Sequence, residues 1–159
     1  MKNFLSELFG LSAFLAKVQL LASRGRYGDA LVKIKERYSS CPSNSAPVLI
    51  NLLFADLCER LGRMHDAAEA CELVLLQIDT VEVRGEFRED ELKYMKYHCK
   101  WILSSLSKFS DSLVFKRAAA IDLSFDDLAL ANVRPRLKRI FPLNAEDARK
   151  LDSFVLQNT

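Results

Sequence analysis

The phrase "RGRYGDALVKI", Arg24 to Ile34, is written a second time as "LGRMHDAAEAC", Leu61 to Cys71. Gly25 and Gly62 are 37 residues apart, and Ala30 and Ala67 keep the same interval. A phrase that returns without an internal gap marks a repeated structural unit, and it restricts the chain to folds built by stacking that unit. Each copy lies between two stretches of helical periodicity. Ahead of the first, Phe4, Leu8, Leu11, Leu15, Val18 and Leu21 recur at helical steps and predict an amphipathic helix. After it, Ala30, Leu31, Ile34 and Tyr38 predict a second helix, stopped near Cys41 and Pro42. "VLINLLFADLCERL" predicts a third, with Pro47 in its first turn, where a missing N–H costs nothing. Ala67, Cys71, Val74, Leu75 and Ile78 predict a fourth.

The phrase has a physical reading. Two antiparallel helices need a short connection. A glycine beyond a helix C-terminus accepts the left-handed conformation that ends it. Tyr27 and Met64 are expected to wedge apolar bulk into the corner. Ala30 and Ala67, one turn into the next helix, are small enough for two backbones to approach. On these residues the chain resembles the tetratricopeptide repeat, a helix–turn–helix unit of about 34 residues. Gly25, Tyr27, Ala30 and Pro42 carry the resemblance in the first copy. Ala55, Gly62 and Ala67 carry it in the second, with Asp79 where the family often has proline. It covers residues 11–79. The chain departs from the pattern at Val18, where the family prefers a small residue, and at Arg37, where it prefers alanine. The resemblance implies an all-α superhelix whose concave side is lined by the first helix of each pair.

Downstream, "LSSLSKFSDSLVFK" resembles a degraded third copy, with Ser107 for the glycine, Phe109 for the aromatic and Ser112 for the alanine. The segment between, "DTVEVRGEFRED" at 79–90, is dense in charge, carries Gly85 and predicts a loop. Its alternation also allows a strand, which would have no sheet to join. "SFDD" at 124–127 and "NAED" at 144–147 read as capping boxes of short helices. Ala148, Leu151, Phe154 and Val155 would form the inward face of the last one. The expected organisation is one domain, 1–159, of about seven helices: two pairs in 1–79, a charged loop in 80–90, a degraded pair in 91–123 and a cap in 124–159 that covers the apolar end of the stack.

Composition narrows the function classes. Half the residues are hydrophobic and 28% are charged, a globular and not a disordered balance. A net charge of +2 demands neither nucleic acid nor membrane as partner. The four cysteines, at 41, 58, 71 and 99, match no zinc spacing and are expected as buried small residues in a reducing compartment. The competing reading is a metal site on Cys58, His65 and Cys71, or on His98 and Cys99. No phosphate loop, nucleophile elbow or His-Glu-x-x-His motif is present, so neither an enzyme nor a cofactor is expected. A nucleophile at Cys99 or Cys58 is the enzymatic alternative. Glu7 and Lys17 interrupt the N-terminal apolar run, so neither a membrane span nor a signal peptide is expected. The expected location is intracellular and cytoplasmic, with the nucleus left open.

A binding surface is the remaining candidate. On the fifth expected helix, Leu92, Met95, Cys99, Ile102 and Leu106 form one stripe, and Tyr94, Tyr97 and Trp101 form a second beside it. Large stiff aromatics left over from a core are good partner anchors. By the repeat alignment the groove consists of Leu15 and Gln19, then Leu49, Leu52 and Asp56, then Tyr94, Tyr97 and Trp101. Some tetratricopeptide domains clamp a C-terminal carboxylate with lysine and asparagine. Leu15 and Gln19 replace those types here, so that version is not expected. The expected function is a non-enzymatic protein-interaction module receiving a peptide or helix of another protein, with self-association as a variant. Against it stands the reading that the C-terminal segment packs over Trp101 as internal core. A second function class, association with nucleic acid, rests on the basic cluster Arg134, Arg136, Lys138 and Arg139. Pairing with Asp126, Asp127, Glu146 and Asp147 would instead make that cluster an ordinary solvated face.

Overall fold

The structure is a computed structural model that describes residues 4–106, without the side chains of residues 4–10, 12, 90 and 104–106. Six helices follow one another: α1 (Phe4–Ser23), α2 (Tyr27–Arg37), α3 (Val48–Arg60), α4 (Met64–Ile78), α5 (Val81–Glu86) and α6 (Glu89–Leu106). Among the described residues the fold is all-α. The second helix of the third pair, the cap at 124–159 and the cluster Arg134, Arg136, Lys138 and Arg139 lie outside the described residues. No described helix is long and apolar enough to cross a membrane.

The repeated phrase builds the same corner twice. Gly25 has φ +75° and Gly62 φ +73°, the left-handed region. The Gly25 N–H donates to the Ala22 carbonyl at 2.9 Å, and the Arg26 N–H donates to Leu21 at 2.9 Å. In the second corner Gly62 donates to Glu59 at 3.1 Å and Arg63 to Cys58 at 2.8 Å. Both are the paired bonds that close a helix on a glycine and satisfy its last carbonyls. A Cβ at either position would meet nothing within 4 Å. The preference for glycine is therefore conformational and not steric crowding. Gly62→Ala is expected to lower the unfolding free energy by about 1–2 kcal/mol, with Gly62→Asn milder; urea titration of both variants checks the order.

The phrase also repeats an ion pair across the first turn of the following helix. Arg26 Nε lies 2.7 Å from Asp29 Oδ2 and Arg63 Nε 2.9 Å from Asp66 Oδ2. Both pairs are exposed, so they add little stability. Ala30 and Ala67 are fully buried, as their small size requires. The two wedge residues behave differently. Tyr27 is half-buried against the core, whereas Met64 is 39% exposed and wedges nothing.

The main packing is α3 on α4, then α6 on α4 and α3, with α1 on α2 and α2 on α3. Every residue of α3 from Val48 to Cys58 is buried, so this helix is the axis of the core. Two boundaries differ from the sequence expectation. Pro47 is the residue that caps α3 and stands just outside its first turn. The segment 80–90 is not a loop throughout: Thr80 accepts a bond from the Val83 N–H at 3.4 Å and starts the short helix α5. A hydroxyl one residue ahead of a helix supplies the acceptor its orphan N–H groups need. That local signal outweighed both Gly85 and the strand-like alternation.

The connection from α2 to α3 is held by one buried amide. Asn51 Nδ2 donates to the Ser43 carbonyl at 2.9 Å, the Ala46 carbonyl at 3.4 Å and Gln77 Oε1 at 2.8 Å. Its Oδ1 accepts from the Ser43 N–H at 3.3 Å and the Cys41 thiol at 3.4 Å. Gln77, on α4, returns a bond from Nε2 to Ala46 at 2.9 Å. Asn51 is fully buried and Gln77 nearly so. Loop, α3 and α4 are thereby fixed by polar groups that would be costly to leave unsatisfied.

Candidate partner-binding face and its buried polar pair

The repeat alignment gives one row of equivalent positions, Leu15, Leu52 and Tyr97, and a second, Gln19, Asp56 and Trp101. Leu15 is 7% exposed, and Leu52 and Tyr97 are fully buried. Leu49 is buried, and Tyr94 is only 2% exposed. In the second row Asp56 is fully buried, while Gln19 and Trp101 are half-buried. The expectation that Tyr94 and Tyr97 are left over from the core is therefore corrected. Both rings belong to the core, because their area is removed from water along with the leucines around them. Of the residues expected to line a groove, only Gln19 and Trp101 keep partial access to solvent.

Behind Trp101 lies a polar pair that joins α3 to α6. His98 Nε2 is 3.3 Å from Asp56 Oδ1, and both side chains are fully buried. Arg60, one turn along α3, donates from Nε to Asp56 Oδ2 at 2.9 Å. The Arg60 guanidinium lies 5.4 Å from the Tyr27 ring centre, and Trp101 meets His98 edge-on at 5.5 Å. Tyr94 is tilted against the same imidazole. One carboxylate thus links three helices: α3 itself, α6 through His98, and α2 through Arg60 and Tyr27.

Burial alone would push the Asp56 carboxyl up, but the His98 hydrogen bond and charge, with Arg60 beside it, hold it below the usual carboxylate range. A lowered folded-state value means that this contribution to stability is present above the unfolded carboxylate range and fades as pH falls through the folded value. The stability gap between the wild type and Asp56→Asn is accordingly expected to be widest near neutral pH and to narrow in acid; denaturant titrations at stepped pH read it directly.

The cysteines are all buried and all free thiols. Burial pushes Cys41 up to about 11 and Cys58 up to about 12, and raises Cys71 as well. A raised, buried thiol is a poor nucleophile. Thiol labelling of the folded protein is expected to modify none of these four at a rate comparable to free cysteine, with full reaction after denaturation. His65 is exposed on α4 whereas Cys58 and Cys71 are fully buried, and no three described side chains of suitable type form a group that could hold a metal.

Sequence reasoning placed Asp56 on a groove and His98 beside a cysteine; it missed that they meet. Part of the signal was there. An aspartate inside an otherwise apolar run, with arginine four residues on, must be paired if buried. No sequence feature marks His98 as the second partner across 42 positions. No family model, no curated protein and no solved structure matches the chain.

Proposed function

We propose that the chain is a non-enzymatic protein-interaction module, a short tetratricopeptide-like stack that receives a peptide or helix of another protein on the face formed by α1, α3 and α6. The observation that supports this most is the duplicated corner at Gly25 and Gly62, which joins α1 to α2 and α3 to α4 by the same turn. Stacks of that kind produce extended faces suited to a helix or an extended peptide. Gln19 and Trp101 keep partial access to solvent, and the Asp56–His98 pair ties α3 to α6 beside Trp101. An adaptor or subunit of a cytoplasmic assembly fits this reading.

The test is capture from a lysate on immobilised protein at low and high salt, with and without nuclease. A protein retained at high salt and untouched by nuclease is the expected result. Retention that collapses with salt and requires nucleic acid would replace this reading with phosphate binding, whose affinity falls steeply with salt.

A further inference from the structure

The connection from α2 to α3 carries serines at 39, 40, 43 and 45, and three of their hydroxyls converge. Ser40 Oγ lies 3.1 Å from Ser43 Oγ and 3.5 Å from Ser45 Oγ, and Ser43 and Ser45 are 2.9 Å apart. Ser40 and Ser45 are exposed, and Ser43 is half-buried. The backbone holds this triangle in place. Asn51 bonds both the N–H and the carbonyl of Ser43, and the Cys41 N–H donates to the Tyr38 carbonyl at 2.9 Å. A cation stands at the same turn. Lys35, in the last turn of α2, donates from Nζ to the carbonyl of Cys41, the residue next to Ser40. Hydroxyls that turn their protons outward beside an ammonium are the donors an oxyanion needs. An exposed site of this kind holds a free anion poorly, because the cost of association offsets a few hydrated bonds. An anion joined covalently to one of the three serines escapes that cost.

We infer that Ser40 is a phosphorylation site whose phosphate is seated by the hydroxyls of Ser43 and Ser45 and by the Lys35 ammonium. Ser40 is singled out by what precedes it. Lys33, Lys35 and Arg37 stand on its N-terminal side, with Arg37 three residues ahead. That is the charge pattern a basophilic serine kinase reads through an acidic substrate cleft. Ser43 and Ser45 have no basic residue in the four positions before them. In the transfer, the Ser40 hydroxyl oxygen attacks the γ-phosphorus of a nucleoside triphosphate. The new O–P bond forms as the bridging β–γ O–P bond breaks, the diphosphate leaves, and the hydroxyl proton passes to the kinase's base. The product carries a charge of about −1.5 to −2 near pH 7. In the chain it stands between two helix ends. The end of α2, whose dipole repels an anion, has Lys35 and Arg37 in its last turn. The start of α3, whose dipole attracts one, has no acidic residue in its first turn, and no side chain among the described residues caps it. Because Ser43 also bonds Asn51, a seated phosphate stiffens the joint between the first helical pair and the second. The inference is independent of the proposed partner binding.

The full chain is treated with ATP and the catalytic subunit of a basophilic serine/threonine kinase, and the phosphate is located by peptide mapping. Incorporation at Ser40, abolished in Ser40→Ala, is the expected result. Phosphate at Ser39, Ser43 or another position in place of Ser40, or no incorporation, overturns the site. The seat is read on the full chain with phosphoserine installed at position 40 during synthesis, which needs no kinase. Amide hydrogen exchange in 39–47 is expected to slow severalfold relative to the unmodified chain. The same comparison is made in Ser43→Ala with Ser45→Ala, which leaves the backbone bonds to Asn51 in place, and in Lys35→Gln. The slowing is expected to shrink in both. Unchanged or faster exchange in the phosphorylated chain overturns the seat, as does slowing that survives all three substitutions.

Discussion

Asp56→Ala is expected to lower the unfolding free energy by about 3–5 kcal/mol, the cost of removing one member of a buried ion pair and leaving the other charge desolvated. The magnitude follows from position. Asp56 accepts from Arg60 at 2.9 Å and faces His98 at 3.3 Å, with no part of its side chain in water. Arg60 is itself only 11% exposed, so its guanidinium cannot recover hydration without moving off Tyr27. Asp56→Asn keeps the shape and one acceptor and is expected to cost visibly less. Equilibrium denaturation in urea at neutral pH measures both. An Asp56→Ala loss below about 1 kcal/mol, the range of an exposed pair, would mean that the network is not desolvated in solution.

The second large effect is expected at Asn51. Asn51→Ala removes partners from Ser43, Ala46 and Gln77 together and opens a void beside Cys41. Each buried polar group left unsatisfied costs about 1–3 kcal/mol, and Gln77 has little route to water. A loss of at least about 2 kcal/mol is expected. Because the amide ties the loop before α3 to α4, hydrogen exchange is expected to accelerate in 39–47 and in the last turn of α4 before elsewhere. Uniform acceleration across all helices would show that Asn51 contributes to global stability alone.

The contrast between these residues and the corner glycines marks how far sequence reasoning reached. Gly25, Gly62, Ala30 and Ala67 were legible because their roles are local: a left-handed turn and a close helix approach are set by a few adjacent residues. The four long helices around them follow from periodicity for the same reason. Asp56 and His98 were visible only separately, since their meeting depends on how α6 returns against α3. The error at Tyr94 and Tyr97 has the same origin. A stripe of aromatics on a helix looks surplus when one neighbour is assumed, and becomes core when the helix is enclosed on a second side. Thr80 was a different miss: the capping hydroxyl was in the sequence, but charge density and Gly85 argued for a loop.

The face itself is best tested by two folded variants compared in one capture experiment. Gln19→Ala with Trp101→Ala alters the inner face. Leu20→Ser with Val32→Ser alters α1 and α2 where they are about half exposed, 51% and 55%. A partner held by the wild type and by the outer variant, and lost by the inner one, is the result this account requires. A partner lost by the outer variant and kept by the inner one would contradict it and move recognition to the exposed surface at Leu20 and Val32.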